Sequence, residues 1–187
     1  MNSTSFLTEL HATVVDLRTT AQTHFAALDL SLLNQRPAPA SWSILECLEH
    51  LNRYSRYYNP AFAKALAQAG PAATTAPVAY TWLGQKSVAL VHPTNAKKQP
   101  TLKRMNPLGS RLSTETLLEF DRHQAYLLTL LAQAHAADLN RKSIQIEFFR
   151  LLKLRLGEAL EFVVRHQQRH VQQALRVQAT VELELAC

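Results

Sequence analysis

Apolar residues recur every three or four positions in four long segments of the chain, and this spacing predicts four amphipathic helices. The apolar positions of the first segment are Phe6, Leu10, Val14, Leu17, Ala21, Phe25 and Leu28. Serine and threonine at positions 3–5 can cap the start of this helix. A loop is predicted over residues 31–40, which contain Pro37 and Pro39.

The second helix is predicted to begin at Ser41-Trp42-Ser43, because Glu46 stands three residues after Ser43 in the spacing of a capping box. Its stripe consists of Ile44, Leu48, Leu51, Ser55, Tyr58, Phe62 and Leu66. The stripe continues past Pro60, which indicates a kink at this proline rather than the end of the helix. We place the end of this helix at Gly70-Pro71.

The third and fourth helices are predicted over residues 115–138 and about 151–178. The third places Leu117, Phe120, Leu127, Leu128 and Leu131 inward. Residues 71–112 are rich in Pro, Thr and Lys, and within them residues 80–91 fit either a short helix or a lid. We find no convincing strand pattern. The sequence therefore predicts an all-α fold, a four-helix bundle in a single domain of residues 1–187, with a long loop between helices 2 and 3.

Composition and charge narrow the class of protein. The chain is 47% hydrophobic with 4 glycines, as in globular helical proteins. Two cysteines, Cys47 and Cys187, form no disulfide framework and favour a reducing cytoplasm. Neither a signal peptide nor an apolar run of about 18 residues is visible, so we expect no membrane association. The net charge of +6 is scattered, and the basic residues of 97–104 lack interleaved aromatics, so we expect a solvated surface rather than a nucleic-acid partner.

Two histidines interrupt the apolar stripe of the fourth helix. The stripe reads Leu152, Leu156, Ala159, Val163, His166, His170, Ala174 and Val177. His166 and His170 are four residues apart, so their rings can converge on one ion. With eight histidines in the chain, chance alone produces such a pair roughly one time in three. Burial of an unsatisfied imidazole costs about 1–3 kcal/mol, and either a metal ion or hydrogen bonds to Gln or Glu can offset this cost.

A third metal ligand must come from another helix. His50 lies at the edge of the stripe on the second helix, His123 lies between apolar neighbours on the third, and His24 lies beside Phe25 on the first. Spacing alone does not choose among these three histidines.

Two motifs in the sequence carry a resemblance to a known family. The segment from Ser41 to Leu51, SWSILECLEHL, is similar to a W-S-x-x-E-x-x-x-H-L signature. Leu156-Gly157-Glu158 followed by residues 166–173, HQQRHVQQ, is similar to an L-G-(D/E)…H-x-x-R-H-x-x-Q segment. Residues 101–107, TLKRMNP, resemble a loop in one branch of the same family. The chain thus resembles the DinB-like superfamily, also called the DinB/YfiT-like metalloenzymes.

This resemblance implies a four-helix bundle with a variant up-and-down topology and a metal site formed by His50, His166 and His170. It also implies a homodimer and a small-molecule substrate, since characterised activities of the family resemble thiol transfer and thiol-dependent isomerisation with low-molecular-weight thiols. Three neutral imidazoles suit a divalent transition metal, Zn or Ni, and leave a coordination position open to water or to a thiol. The expected function is a divalent-metal-dependent enzyme, a thiol S-transferase or a hydrolase; the alternative is a non-catalytic metal- or ligand-binding bundle.

Four further residues have candidate roles beside the histidines. Glu46 is the candidate catalytic residue, as a base or as the hydrogen-bond partner of His50, although capping of the helix is an equal alternative. Gln173 is a candidate hydrogen-bond partner near His170. Cys47 fits a small buried hydrophobe better than a sulfur ligand, and Trp42 fits the core or a pocket wall.

Overall fold

Six helices and one β-hairpin make up the computed structural model, which describes residues 1–70, 76–95, 97, 99–147 and 149–185. The helices are α1 (Ser3–Phe25), α2 (Leu30–Asn34), α3 (Ile44–Ala67), α4 (Trp82–Val91), α5 (Glu115–Ala134) and α6 (Leu156–Leu185). A 3₁₀ turn spans Lys103–Met105, and the hairpin consists of β1 (Lys142–Ile146) and β2 (Phe149–Arg155). The four long helices α1, α3, α5 and α6 confirm the predicted four-helix bundle.

The order of the helices around the bundle differs from a simple up-and-down arrangement. Helix α3 packs against α5 and α6, and α1 packs against the same two helices. Asn52 donates to the Thr116 carbonyl and Asn59 donates to the His123 carbonyl, so the contacts advance in the same direction along α3 and α5. These two neighbours are therefore parallel. A connection between parallel helices must return along the bundle, which accounts for the long segment between them.

Helix α6 runs antiparallel to α3. The Tyr54 ring lies 4.5 Å from the His166 ring, and one turn further along α3 the Tyr58 ring lies 6.0 Å from the Phe162 ring. Successive contacts thus move toward the C-terminus of α3 and toward the N-terminus of α6. This pairing places the second turn of α3 beside the middle of α6, where the candidate ligands lie.

Most helix predictions are confirmed, with shifted boundaries. The capping box predicted at Ser43 is present, and α3 continues through Pro60. It ends at Ala67 with Gln68 as its C-cap, before the predicted stop, and α5 ends at Ala134 rather than near residue 138. Residues 80–91 contain α4, and the loop predicted over 31–40 contains most of α2. Cys187 lies outside the described residues.

The absence of strands was a wrong prediction. Lys142–Ile146 and Phe149–Arg155 pair as an antiparallel hairpin, and α6 begins at Leu156 instead of near residue 151. Leu152, Leu154 and Leu156 alternate with polar residues, which is the period of a strand. Leu152 and Leu156 are also four residues apart, which is a helical spacing, so the pattern fits both structures. The outcome is visible in burial, since Leu154 is 1% exposed and Leu152 is 39% exposed.

The start of α6 is fixed by a buried carboxylate. Glu158 accepts a hydrogen bond from the backbone N–H of Arg155 at 2.8 Å and another from the N–H of Thr81, at the N-cap of α4. Glu158 therefore bonds the residue that precedes α6 and the residue that caps α4, and so fastens the two helix starts together. In the part of the chain that the structure describes, we find no helix with the length and apolar character needed to cross a bilayer.

Candidate metal centre

The capping box of α3 sets the position of His50. Ser43 Oγ accepts from the Glu46 N–H at 3.2 Å, and Glu46 Oε2 accepts from the Ser43 N–H at 2.9 Å. These reciprocal bonds fix the first turn. His50 follows one turn after Glu46, is 2% exposed, and points toward α6.

Three histidines meet between α3 and α6. His166 and His170 occupy successive turns of α6, and one ligand nitrogen from each of them and from His50 lies within 4.8 Å of the others. The ring centroids are 4.5–5.0 Å apart, and Nε2 of His50 is 3.2 Å from Nε2 of His166. The structure thus brings together the three residues that the motifs selected.

In His50 and His170, a hydrogen bond made by Nδ1 determines which ring nitrogen can bind a ligand. Nδ1 of His50 lies 2.7 Å from the carbonyl oxygen of Met105, and Nδ1 of His170 lies 2.9 Å from Oε1 of Gln173. A carbonyl oxygen only accepts, so each Nδ1 carries the proton in the neutral ring. Nε2 of His50 and of His170 therefore keeps its lone pair for a ligand bond.

The chain around Met105 is anchored on both sides. Arg53 donates from Nη1 to the carbonyl oxygens of Arg104 and Asn106, at 3.2 and 3.1 Å. The side chain of Asn106 accepts a hydrogen bond from Trp42 Nε1 at 3.1 Å. We call residues 104–106 the strap. The carbonyls of Arg104 and Asn106 accept hydrogen bonds from Arg53, and the Met105 carbonyl between them bonds His50. The carbonyl that orients His50 is therefore held in place from both sides.

Aromatic rings form the wall of the centre. The Trp42 ring lies 4.7 Å from the His50 ring and 5.6 Å from the His170 ring. On the other side, the Tyr54 ring lies 5.0 Å from the His50 ring and 4.5 Å from the His166 ring. Large apolar walls exclude water from part of the site and restrict the rotamers of the imidazoles.

Burial keeps the three imidazoles neutral. It lowers the pKa of His50 to about 4, against the opposing effect of the Met105 carbonyl, and the nearby Arg53 charge lowers it further. Burial, followed by the neighbouring histidines, lowers the pKa of His166 and of His170 well below the ordinary value. Neutral imidazole is the form that binds a metal ion, so the centre is in its ligating state at neutral pH.

The carboxylate of Glu46 has other partners. Arg36 donates to its two oxygens at 2.9 and 2.8 Å, and the Gly109 N–H donates to Oε1 at 2.7 Å in addition to the capping bond from Ser43. The Met105 carbonyl occupies the position on His50 that the sequence assigned to Glu46. The contacts of Glu46 are those of a capping and loop-anchoring residue, and its role as a base stays a prediction.

Other candidates occupy distinct environments. Cys47 is fully buried in the apolar core, and burial raises the pKa of its thiol, which disfavours the thiolate needed in a ligand. His123 lies on α5 and contacts Glu119 at 3.2 Å, and His24 is exposed on α1. Gln173 and Trp42 contact the centre as described above.

Sequence reasoning missed the contacts made by the strap. Residues 104–106 lie in the irregular region between α3 and α5, and they act through main-chain carbonyls that every residue type carries. A residue pattern contains no signal for such contacts. The resemblance of residues 101–107 to a family loop covers this segment, but it implies no role for these residues.

The donor set fits a divalent transition metal. Three neutral nitrogen ligands from two rigid helices match the catalytic type of zinc site, which retains an open position. Nitrogen ligands disfavour magnesium and calcium, which bind oxygen. Nε2 of His50 and Nε2 of His166 are 3.2 Å apart. This separation is close to the roughly 3.3 Å expected between two nitrogens that each lie about 2.0–2.1 Å from one tetrahedral ion.

A comparison with family models identifies the chain. The model of the DinB superfamily matches residues 14–174. The chain belongs to the DinB superfamily. The matched range includes His50, His166 and His170. No curated protein matches the sequence.

A solved structure supports the same fold. It is described as "YfiT from Bacillus subtilis is a probable metal-dependent hydrolase with an unusual four-helix bundle topology". The TM-score is 0.59 at 13% sequence identity, and the alignment covers 94% of this chain and 87% of that chain. At this identity the likeness concerns the fold alone.

Proposed function

We propose that this DinB-superfamily protein is a divalent-metal-dependent enzyme whose centre consists of His50, His166 and His170. The observation that carries the proposal is the approach of three ligand nitrogens to within 4.8 Å of one another. Zinc and nickel are the proposed metals because imidazole ligands suit both. The description of YfiT as a probable metal-dependent hydrolase adds support from a structural relative.

The proposed reaction uses a small nucleophile, and a low-molecular-weight thiol is our first candidate. Three neutral ligands leave the charge of a divalent ion uncompensated, so the fourth position favours an anionic ligand such as a thiolate. A bound metal would supply this stabilisation of the thiolate. The residues of the chain would orient the rings through Met105 and Gln173 and shield the centre with Trp42 and Tyr54.

Metal analysis tests the centre. Purified wild-type protein and His170→Ala are incubated with Zn²⁺ or Ni²⁺, freed of excess metal, and measured by elemental analysis. We expect about one ion per wild-type chain and a large loss in His170→Ala. His123→Ala is the matched control, since this histidine lies outside the centre, and it should retain the ion. Wild-type protein that stays metal-free would contradict the proposal.

Reaction assays separate transfer from hydrolysis. The metal-loaded protein is incubated with a panel of small thiols and chlorodinitrobenzene, and separately with an activated ester. We expect thiol-dependent turnover that is lost in His50→Ala. Ester hydrolysis without thiol dependence would favour a hydrolase, and metal binding without any turnover would favour a sequestering bundle. The proposed homodimer is tested on the same sample by light scattering after size-exclusion chromatography.

A further inference from the structure

One buried carboxylate, which contacts neighbours of the metal centre, has an oxygen without a hydrogen-bond partner among the described residues. Glu147 lies one residue after β1 and is 3% exposed. Arg104 donates from Nε to Oε1 and from Nη2 to the backbone carbonyl of Glu147. The other carboxylate oxygen, Oε2, is buried and has no hydrogen-bond partner among the described residues. A buried acceptor without a partner is costly, so its retention needs an explanation.

The contacts of Glu147 place it at the tyrosine wall of the centre. Its backbone N–H donates to the Tyr58 hydroxyl at 3.2 Å, and the Tyr58 ring stacks on the Tyr54 ring at 6.1 Å. Tyr54 in turn contacts the rings of His50 and His166. Burial raises the pKa of Tyr54, and the negative charge of Glu147 raises it further.

The strap provides a second connection between Glu147 and the centre. Arg104, the partner of Glu147, directly precedes Met105, whose carbonyl orients His50. An ion pair therefore joins Glu147 to the strap, next to the residue that orients His50. This arrangement fixes one oxygen of the carboxylate and leaves the other available.

Two other carboxylates near His50 are occupied. Glu46 accepts from Arg36, Ser43 and Gly109. Glu49 accepts from Arg53 at 2.9 Å and from Arg56 at 3.1 and 3.3 Å. Of these three carboxylates, Glu147 is the one with an unpartnered buried oxygen.

We propose that Glu147 is a catalytic residue whose Oε2 accepts the proton of a nucleophile held at the three-histidine centre. The inference rests on the proposed function. In this step the X–H bond of the nucleophile breaks, where X is sulfur or oxygen, the proton passes to Oε2, and the electron pair stays on X. Before transfer, Oε2 accepts a hydrogen bond from the same group. The ligand class is a small thiol or hydroxyl compound that carries this X–H group, and an inhibitor with an N–H beside its metal-binding atom should meet the same oxygen.

Two probe ligands with different hydrogen-bonding capacity test the proposal. Acetohydroxamate can donate an N–H while bound to a metal, whereas azide has no hydrogen to donate. The affinity of each is measured from the visible spectrum of the cobalt-loaded protein, in wild type and in Glu147→Gln. Glutamine keeps an acceptor for Arg104 but removes the charge. We expect Glu147→Gln to weaken acetohydroxamate about 10-fold or more and to leave azide binding unchanged.

The matched control is Glu119→Gln, which alters a carboxylate on α5 that is already paired with Arg56, away from the centre, and it should change neither affinity. Unchanged acetohydroxamate binding in Glu147→Gln, or an equal weakening of both probes, would overturn the role of Glu147. If circular dichroism shows that Glu147→Gln is unfolded, Glu147→Asp replaces it, because the shorter side chain withdraws the oxygen and carries the same expectation. Wild-type protein that takes up no cobalt would instead contradict the proposed function.

Discussion

The Met105 carbonyl oxygen lies 2.7 Å from Nδ1 of His50, and this contact joins an irregular segment to a helix of the bundle. It determines which nitrogen of His50 faces the other two histidines. Arg53 holds the carbonyls on either side of the Met105 carbonyl. The orientation of His50, a candidate metal ligand, therefore depends on a side chain whose hydrogen bonds are made to the strap and to Glu49.

Loss of the Arg53 anchor should weaken metal binding. Arg53→Met removes the donors to the Arg104 and Asn106 carbonyls, and the loss of such outer contacts lowers metal affinity by about 10–100-fold. The measurement is a competition titration with a chelator of known zinc affinity. Arg56→Met is the control, since Arg56 also pairs with Glu49 but does not bond the strap. Equal affinities in wild type and Arg53→Met would contradict the role of the strap.

Substitution of Glu46 should lower the stability of the protein and leave its metal content unchanged. Glu46→Ala removes a buried partner of Arg36 and one half of the capping box, at a cost of about 2–4 kcal/mol in the free energy of unfolding. Urea denaturation measures this cost, and elemental analysis at a temperature well below unfolding measures the bound metal. A folded Glu46→Ala protein with strongly reduced metal content would instead place Glu46 in the centre.

The stability of the metal-free protein should decrease between pH 7 and pH 5. The pKa of His50 is lowered to about 4 in the folded protein, whereas an exposed histidine titrates near 6.5. In this window the unfolded chain binds more protons than the folded chain, so stability is fully present above pH 6.5 and is lost as the pH falls toward 4. His50 alone contributes a loss of about 2 kcal/mol at pH 5.

Urea denaturation at several pH values measures this loss. His166 and His170 should add to it, because their pKa values are lowered in the same direction. The His50→Gln variant should show a smaller dependence on pH than the wild type. Identical dependences in the two proteins would mean that His50 is not held in its neutral form by burial.

Tryptophan fluorescence should report metal binding through one of the two tryptophans. The Trp42 ring lies 4.7 Å from the His50 ring, whereas Trp82 on α4 is 73% exposed. Addition of Ni²⁺ should therefore quench the fluorescence of Trp82→Phe, which retains Trp42. The converse variant, Trp42→Phe, should respond weakly. A response that follows Trp82 would show that the ion binds elsewhere.

The parts of the structure that sequence could predict are those in which residue type and periodicity decide the conformation. Ser43 and Glu46 specify a helix start by their side-chain chemistry, and the same start positions His50 in the following turn. His166 and His170 were recognisable because imidazoles stood where the stripe called for apolar side chains. The choice of His50 over His123 required the family resemblance, because helical spacing places both histidines beside an apolar stripe and does not distinguish between them.

The remaining features depend on tertiary contacts. The hairpin before α6 escaped prediction because alternate apolar residues there satisfy two periods, and the pairing of β1 with β2 decides between them. The role of Met105 resides in its main chain, and Glu147 lies in the turn of the hairpin that was missed. No local pattern links either residue to a histidine more than 50 positions away.

X-ray absorption spectroscopy of the zinc- or nickel-loaded protein tests the central claim most directly. We predict a first shell that contains three imidazole nitrogens, at about 2.0–2.1 Å for zinc, and the loss of one imidazole in His50→Ala. A first shell of oxygen ligands without imidazole scattering, or a spectrum that His50→Ala leaves unchanged, would contradict the assignment of His50, His166 and His170 as the metal centre.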